Sequence, residues 1–189
     1  MKKGLMGFAL VFASVSAFAQ TWSLDKAHAK LGFEVTHLMV SSVEGSFKTF
    51  DVKVSASKDE FSDAVIELTA DANSIYTDND KRDAHLRSAD FFETEKYPTL
   101  TFKSTSFTKT SDKKYTVVGN LTMHGVTKPV TLEATLNGTT VHPYSKKTIA
   151  GFKVTGVIKR SDFTVGKGTP PAVVSDEVTL NANLELIKD

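Results

Sequence analysis

The chain has 189 residues, with 23 lysines and arginines against 22 aspartates and glutamates, and no cysteine. The missing thiol excludes disulfides, cysteine-ligated zinc and thiol catalysis together, and the balanced charge leaves no cationic surplus to neutralise the phosphates of a nucleic acid. Stability has to come from a buried core, and about 170 residues past the N-terminal segment suffice for one such domain.

That N-terminal segment reads as a secretory signal peptide. Lys2 and Lys3 precede an apolar stretch from Leu5 to Val15, and Ala17, Phe18 and Ala19 form a small-x-small cleavage site. The stretch falls short of the ~20 residues that span a bilayer. Residues 1–19 are therefore set apart as the signal, and 20–189 form the expected single domain. Without Lys2 and Lys3 the count becomes 21 basic against 22 acidic side chains, a formal charge of −1.

Apolar residues then recur at every second position, as in strands with one buried face. In chain order the runs are Leu31, Phe33, Val35; Phe50, Val52, Val54, Ala56; Ile66, Leu68, Ala70, Ala72; the short pair Leu100 and Phe102; Tyr115, Val117, Leu121, Met123; Val130, Leu132, Ala134, Leu136; Phe152, Val154, Ile158; and Val178, Leu180, Ala182, Leu184, Leu186. Eight antiparallel strands either stack as a sandwich or close into a barrel, whose interior is filled by side chains or by one small ligand. Between the third and fourth runs, Asp78 to Phe92 carries an Asp/Asn start and Leu86, Ala89 and Phe92 at helical spacing, which predicts one short amphipathic helix. Turns are expected at Asp112-Lys113 and His124-Gly125. At Asn137-Gly138 a bulge is expected instead, because Val141 continues outward to a better loop at His142–Ser145. Ser161 to Ser175, with Gly166, Gly168, Pro170 and Pro171, reads as a long surface loop.

The candidates for chemistry are few. His28 and His37 lie nine apart, which puts them on opposite faces of an unbroken strand, and His85, His124 and His142 fall on a helix, a turn and a loop. A metal site would require three or four of them to converge without thiolate help, so no metal is expected. Asp25 with His28, and Arg82 with Asp83 and Asp90, read as capping and ion pairing. No nucleophile elbow, phosphate loop or zinc-helix motif is present.

Four segments carry a resemblance. They are Trp22, Leu24, Asp25, His28 with Phe33, Val35, His37, Val43, Gly45, Phe47 and Phe50; Arg82, Asp83, His85, Leu86 with Ser88, Asp90, Phe91, Phe92, Tyr97, Pro98, Phe102 and Ser104; Gly119 and Leu121 through Val130; and Arg160 to Phe163. Together they resemble the YceI-like family of exported lipid-binding proteins, with Ala29 and Thr164 standing where the family usually has Ser and Gly. The resemblance implies an all-β chain with one short helix, folded as an eight-stranded antiparallel lipocalin-like barrel. It also implies a periplasmic location and a long apolar ligand such as a polyisoprenoid, an isoprenoid quinone or a fatty amide. No cofactor is expected beyond such a lipid.

Ten of the thirteen phenylalanines lie past residue 19, which suits an apolar pocket. The expected ligand contacts are Phe33, Val35, His37, Phe47, Leu86, Phe91, Phe92, Phe102, Leu121, Met123, Phe152 and Val154. At about 0.8 kcal/mol per buried methylene, a chain of about 25 carbons would gain ~20 kcal/mol against water, the ceiling of non-covalent binding. Extraction from a bilayer trades one apolar medium for another, so net affinity is modest and loading by transient contact with a membrane or a partner is implied. The expected partners are thus a lipid and a membrane, with no nucleic acid. A homodimer is compatible with the chain but nothing compels it, since a closed barrel has no free edge. Two rival readings are an enzyme acting on quinone- or lipid-like substrates through His28 or His37 with Asp25, and a stress-related interaction protein whose barrel is filled by its own side chains.

Overall fold

The computed structural model describes residues 19–189; the expected signal peptide falls almost wholly outside them. The described elements are β1 (Gln20–Leu24), β2 (Lys30–His37), β3 (Ser41–Phe47), β4 (Phe50–Ala56), β5 (Val65–Asp71), β6 (Ile75–Tyr76), α1 (Asp80–Arg87), β7 (Thr99–Ser111), β8 (Lys114–Met123), β9 (Val126–Val141), β10 (Thr148–Lys159) and β11 (Glu177–Lys188), with short 3-10 turns between some of them. All named pairings are antiparallel. Eight strands form a closed ring in the order β1, β4, β5, β7, β8, β9, β10, β11 and back to β1.

The ring closes at β11, which serves two neighbours along its length. Its C-terminal residues pair with β1, Leu186 opposite Leu24, while Thr179 to Asn183 pair with β2. There the wall forks, and β2, β3 and β6 continue as a side sheet. The expected count of eight is met with one change of membership. β2, counted among the eight from its alternation, belongs to the side sheet, and β1 takes its place in the ring. β1 shows only Trp22 and Leu24 on its inner face, too few for a periodic signal. β3 was missed because the middle of its inner face is Gly45, where the Phe33 ring lies so close that no Cβ would fit. Gly119 beneath Phe102 and Gly156 beside Leu132 are constrained in the same way. At each, the missing side chain lets a large neighbour lie along the wall.

The turns at Asp112-Lys113 and His124-Gly125 are as expected, with Lys113, His124 and Gly125 all at positive φ. The β9–β10 register passes from Gly151 opposite Gly138 to Phe152 opposite Leu136, which places the extra residue of a bulge at Asn137. The helix is shorter than expected and is not amphipathic. Asn79 caps it by accepting from the Arg82 backbone N–H at 3.0 Å, it ends at Arg87, and Ala89 beyond it is exposed. Its one buried side chain is an acid, Asp83, which accepts from the backbone N–H and the hydroxyl of Thr77. Anchoring by hydrogen bonds has replaced the apolar face that the spacing suggested.

The segment from Ser161 to Ser175 is likewise more than a surface loop. Phe163 and Val165 are buried, and the chain wraps around the buried side chain of Arg160. That guanidinium donates from Nε to the Ser175 carbonyl, from Nη1 to Val165 and Gly166, and from Nη2 to Thr169 and Val174. All five of its N–H groups meet backbone oxygens. A sequence rich in Gly and Pro cannot display this organisation, because the acceptors are main-chain atoms.

Candidate ligand cavity

The inward faces of the ring and of the side sheet enclose a cavity of about 510 Å³, within the range of small-molecule sites. Its wall is alternate residues of successive strands, for example Val117 and Leu121 of β8, Val154 and Ile158 of β10, and Leu180, Ala182 and Leu184 of β11. The pleat sends each of these inward and its neighbours to solvent.

The cavity is sealed at one end. The loop between β4 and β5 turns inward at Phe61, a residue at positive φ whose side chain is 1% exposed. Its ring packs against Trp22 at 4.9 Å and edge-on to Phe152 at 5.1 Å between centroids. Beside it Tyr115 stacks on Phe107 at 4.6 Å and donates its hydroxyl to the Glu60 carbonyl at 2.6 Å, fixing the loop. Burial, with the nearby Glu60 and Asp112 charges, pushes the Tyr115 phenol above its ordinary pKa, so it remains a donor.

At the other end three pieces meet: α1, the β2–β3 hairpin, and the chain after β10. The polar lining groups other than Asn181, in the middle of β11, gather there, with His37 from β2, Thr77, Arg82 and His85 around α1, and Arg160 and Thr169 from the last piece. Arg82 donates to the Thr77 hydroxyl at 2.7 Å and to its carbonyl, while His85 shares a hydrogen bond with Asp90 at 3.0 Å. His37 bridges to Val174, and the Leu38 N–H donates to the Val173 carbonyl, tying the hairpin to the Arg160-centred loop.

All twelve residues expected as ligand contacts lie in this one lining. Phe33, Val35 and His37 come from β2 and Phe47 from β3; Leu86, Phe91 and Phe92 come from α1 and the turn after it. Phe102 stands on β7, Leu121 and Met123 on β8, and Phe152 and Val154 on β10. Phe33, Phe47 and Phe92 form a continuous aromatic row, with centroids 5.9 and 5.8 Å apart. Sequence reasoning missed Phe61, the one large apolar residue in a Ser- and Asp-rich loop. Val43, quoted in the resemblance but not among the expected contacts, also lines the cavity; its alternation with Phe47 is broken by Gly45.

The two histidines of the enzyme reading are not brought together. His37 lines the cavity, whereas His28 is exposed and outside it. Asp25 caps the short 3-10 turn, accepting from the Ala27 N–H at 2.9 Å, and its other oxygen meets His28 Nδ1 at 2.9 Å. This hydrogen bond raises the His28 pKa and lowers that of Asp25, as in a surface pair. Glu185 adds a third group, and Asp25, His28 and Glu185 are the one cluster of potential metal-ligating side chains among the described residues. It faces solvent, apart from the cavity.

The profile of the YceI-like domain matches residues 22–186. The chain belongs to the YceI-like family. A YceI protein of Salmonella newport is 42% identical over 190 residues, covering 98% of this chain and 97% of that one. The crystal structure of Campylobacter jejuni YceI is similar with a TM-score of 0.74 at 35% identity, over 88% of this chain and 96% of the other. A polyisoprenoid-binding domain of Saccharophagus degradans shares the fold with a TM-score of 0.64 at 20% identity, over 89% and 98% of the two chains. The expected architecture, a closed eight-stranded antiparallel barrel with one helix, is the one this family adopts here.

Proposed function

We propose that this YceI-like protein is a periplasmic carrier of a long-chain isoprenoid-type lipid and performs no chemistry on it. The observation that carries the reading is the apolar cavity of about 510 Å³, sealed by Phe61 and polar at the opposite end. A linear amphiphile matches that polarity, with its tail toward Phe61 and its polar group toward His37, Arg82 and His85. The twelve lining residues named above are its contacts. The ligand of the Saccharophagus degradans domain, named as a polyisoprenoid, supports the ligand class. Lys2 and Lys3, the apolar stretch to Val15 and the Ala17-Phe18-Ala19 site support export.

The separation of His28 from the cavity counts against catalysis through Asp25, and an unfilled interior counts against a barrel packed by its own side chains. Native mass spectrometry of the protein purified from the periplasm, followed by organic extraction, tests the carrier reading: a discrete isoprenoid lipid should be found, and Phe102→Asp should abolish it while circular dichroism still reports a folded barrel. A protein that never retains lipid would end this reading. N-terminal sequencing of the same material should begin at Gln20.

A further inference from the structure

We infer that the tip of the β2–β3 hairpin, Leu38, Met39 and Val40, is a membrane-docking element that seats the polar end of the cavity on a lipid surface. The three side chains are 50%, 75% and 82% exposed, and Val173, 38% exposed, belongs to the segment hydrogen-bonded to Leu38. Scattered exposed apolar residues are ordinary, but three in succession at a hairpin tip are not.

Local chemistry does not explain them. Leu38 and Met39 both adopt left-handed backbone, at φ 49° and 58°. Those positions favour Asn and Gly, and a branched or bulky side chain there is strained. The residues present are therefore unfavourable both for the turn and for hydration.

The tip is also continuous with the cavity. Val35 and Val43 on the same two strands, and Val173 and Val174 on the tethered loop, line its wall. An apolar path thus runs from the most exposed residue of the hairpin to the ligand space. A lipid tail leaving a bilayer requires such a path, since each methylene that crosses water instead is penalised. The occupant is therefore a lipid bilayer and not a second copy of the chain. With a formal charge of −1 beyond residue 19, adsorption rests on the apolar tip and not on net attraction to anionic lipid.

This inference rests on the carrier reading for its purpose but is measured without it. Ligand-stripped protein is floated with isoprenoid-free vesicles of phosphatidylethanolamine containing a minority of phosphatidylglycerol. Wild type should co-float at low and high salt alike, and the double variant L38N/M39G should lose about tenfold or more of the bound fraction. Its turn is better suited to the backbone, so its thermal midpoint should not fall; Met39→Gln provides a second variant with a smaller loss. Uptake of a fluorescent polyprenol from vesicles should slow in both variants, while the amount bound from detergent stays the same. Equal flotation of wild type and variants would refute the docking element, as would a wild-type dimer in solution that L38N/M39G dissociates without any vesicle binding. If wild type takes up no polyprenol from detergent yet still floats, the carrier reading fails and the docking element stands.

Discussion

The two ends of the barrel are closed by different means. At the Phe61 end the seal is aromatic, three rings meeting within about 5 Å, with one hydrogen bond from Tyr115 to hold the loop. At the other end the burial of Phe91, Phe163 and Val165 is joined by a dense set of polar contacts: Arg160 to five carbonyls, Asp83 to Thr77, and His124 Nδ1 to the Thr164 hydroxyl at 2.8 Å. Withdrawing Phe61 would expose a large apolar surface. Separating the loop from Arg160 would expose Phe163 and Val165 together with carbonyls that water can satisfy. The polar end is the one whose released backbone groups water can satisfy in part, and it is the end that bears the exposed apolar hairpin. A ligand that enters tail first fits this asymmetry.

The sharpest way to break the comparison is Phe61→Ala. It should lower the unfolding free energy by about 3–5 kcal/mol, measured by urea denaturation, because a buried ring is lost and the cavity left behind cannot collapse. It should also accelerate the escape of a bound fluorescent lipid. A variant as retentive as wild type would show that Phe61 is not the seal. Arg160→Met keeps most of the side-chain volume but orphans five carbonyls; about 2–3 kcal/mol should be lost, with amide hydrogen exchange rising between residues 161 and 176. Exchange rising uniformly over the barrel would place Arg160 in the global core and not at one end.

Tyr115→Phe removes only the bond to Glu60 and should cost about 1 kcal/mol, read as a small shift in denaturation midpoint with lipid retention unchanged. The smallest effect concerns Asp25 and His28. Their hydrogen bond raises the His28 pKa above the unfolded 6.5, so its contribution is present below that value and is lost as pH rises through the folded pKa. The Asp25 pKa is lowered below 3.8, so its contribution is present above 3.8 and is lost as pH falls through the folded value. The pair is therefore most favourable between these limits. NMR titration should show both displacements, and His28→Gln should reduce that of Asp25, leaving the part due to the Ala27 N–H, while lipid retention stays unchanged. A loss of retention would bring His28 back into the functional site.

Much of the wall was legible because a strand with one buried face repeats every two residues, and the runs through β4, β5, β8, β9, β10 and β11 repeat long enough to register. Resemblance added Phe47 and Phe91, which no periodicity links to the strands, while helical spacing already marks Leu86 and Phe92. Where the inward position is a glycine beneath a ring, as at Gly45, the same geometry erases its own signal.

The sequence by itself determined an all-β chain of alternating strands, the hairpin turns at 112–113 and 124–125, the bulge near Gly138 and an aromatic-rich interior, since these follow from side-chain periodicity and local backbone preference. Only the tertiary structure decided that β1 and not β2 closes the ring, that Phe61 seals one end, that Arg160 organises the other and that His28 stands apart from the cavity. Each of these depends on contacts between residues distant in the chain, and several are made through backbone atoms that every sequence shares.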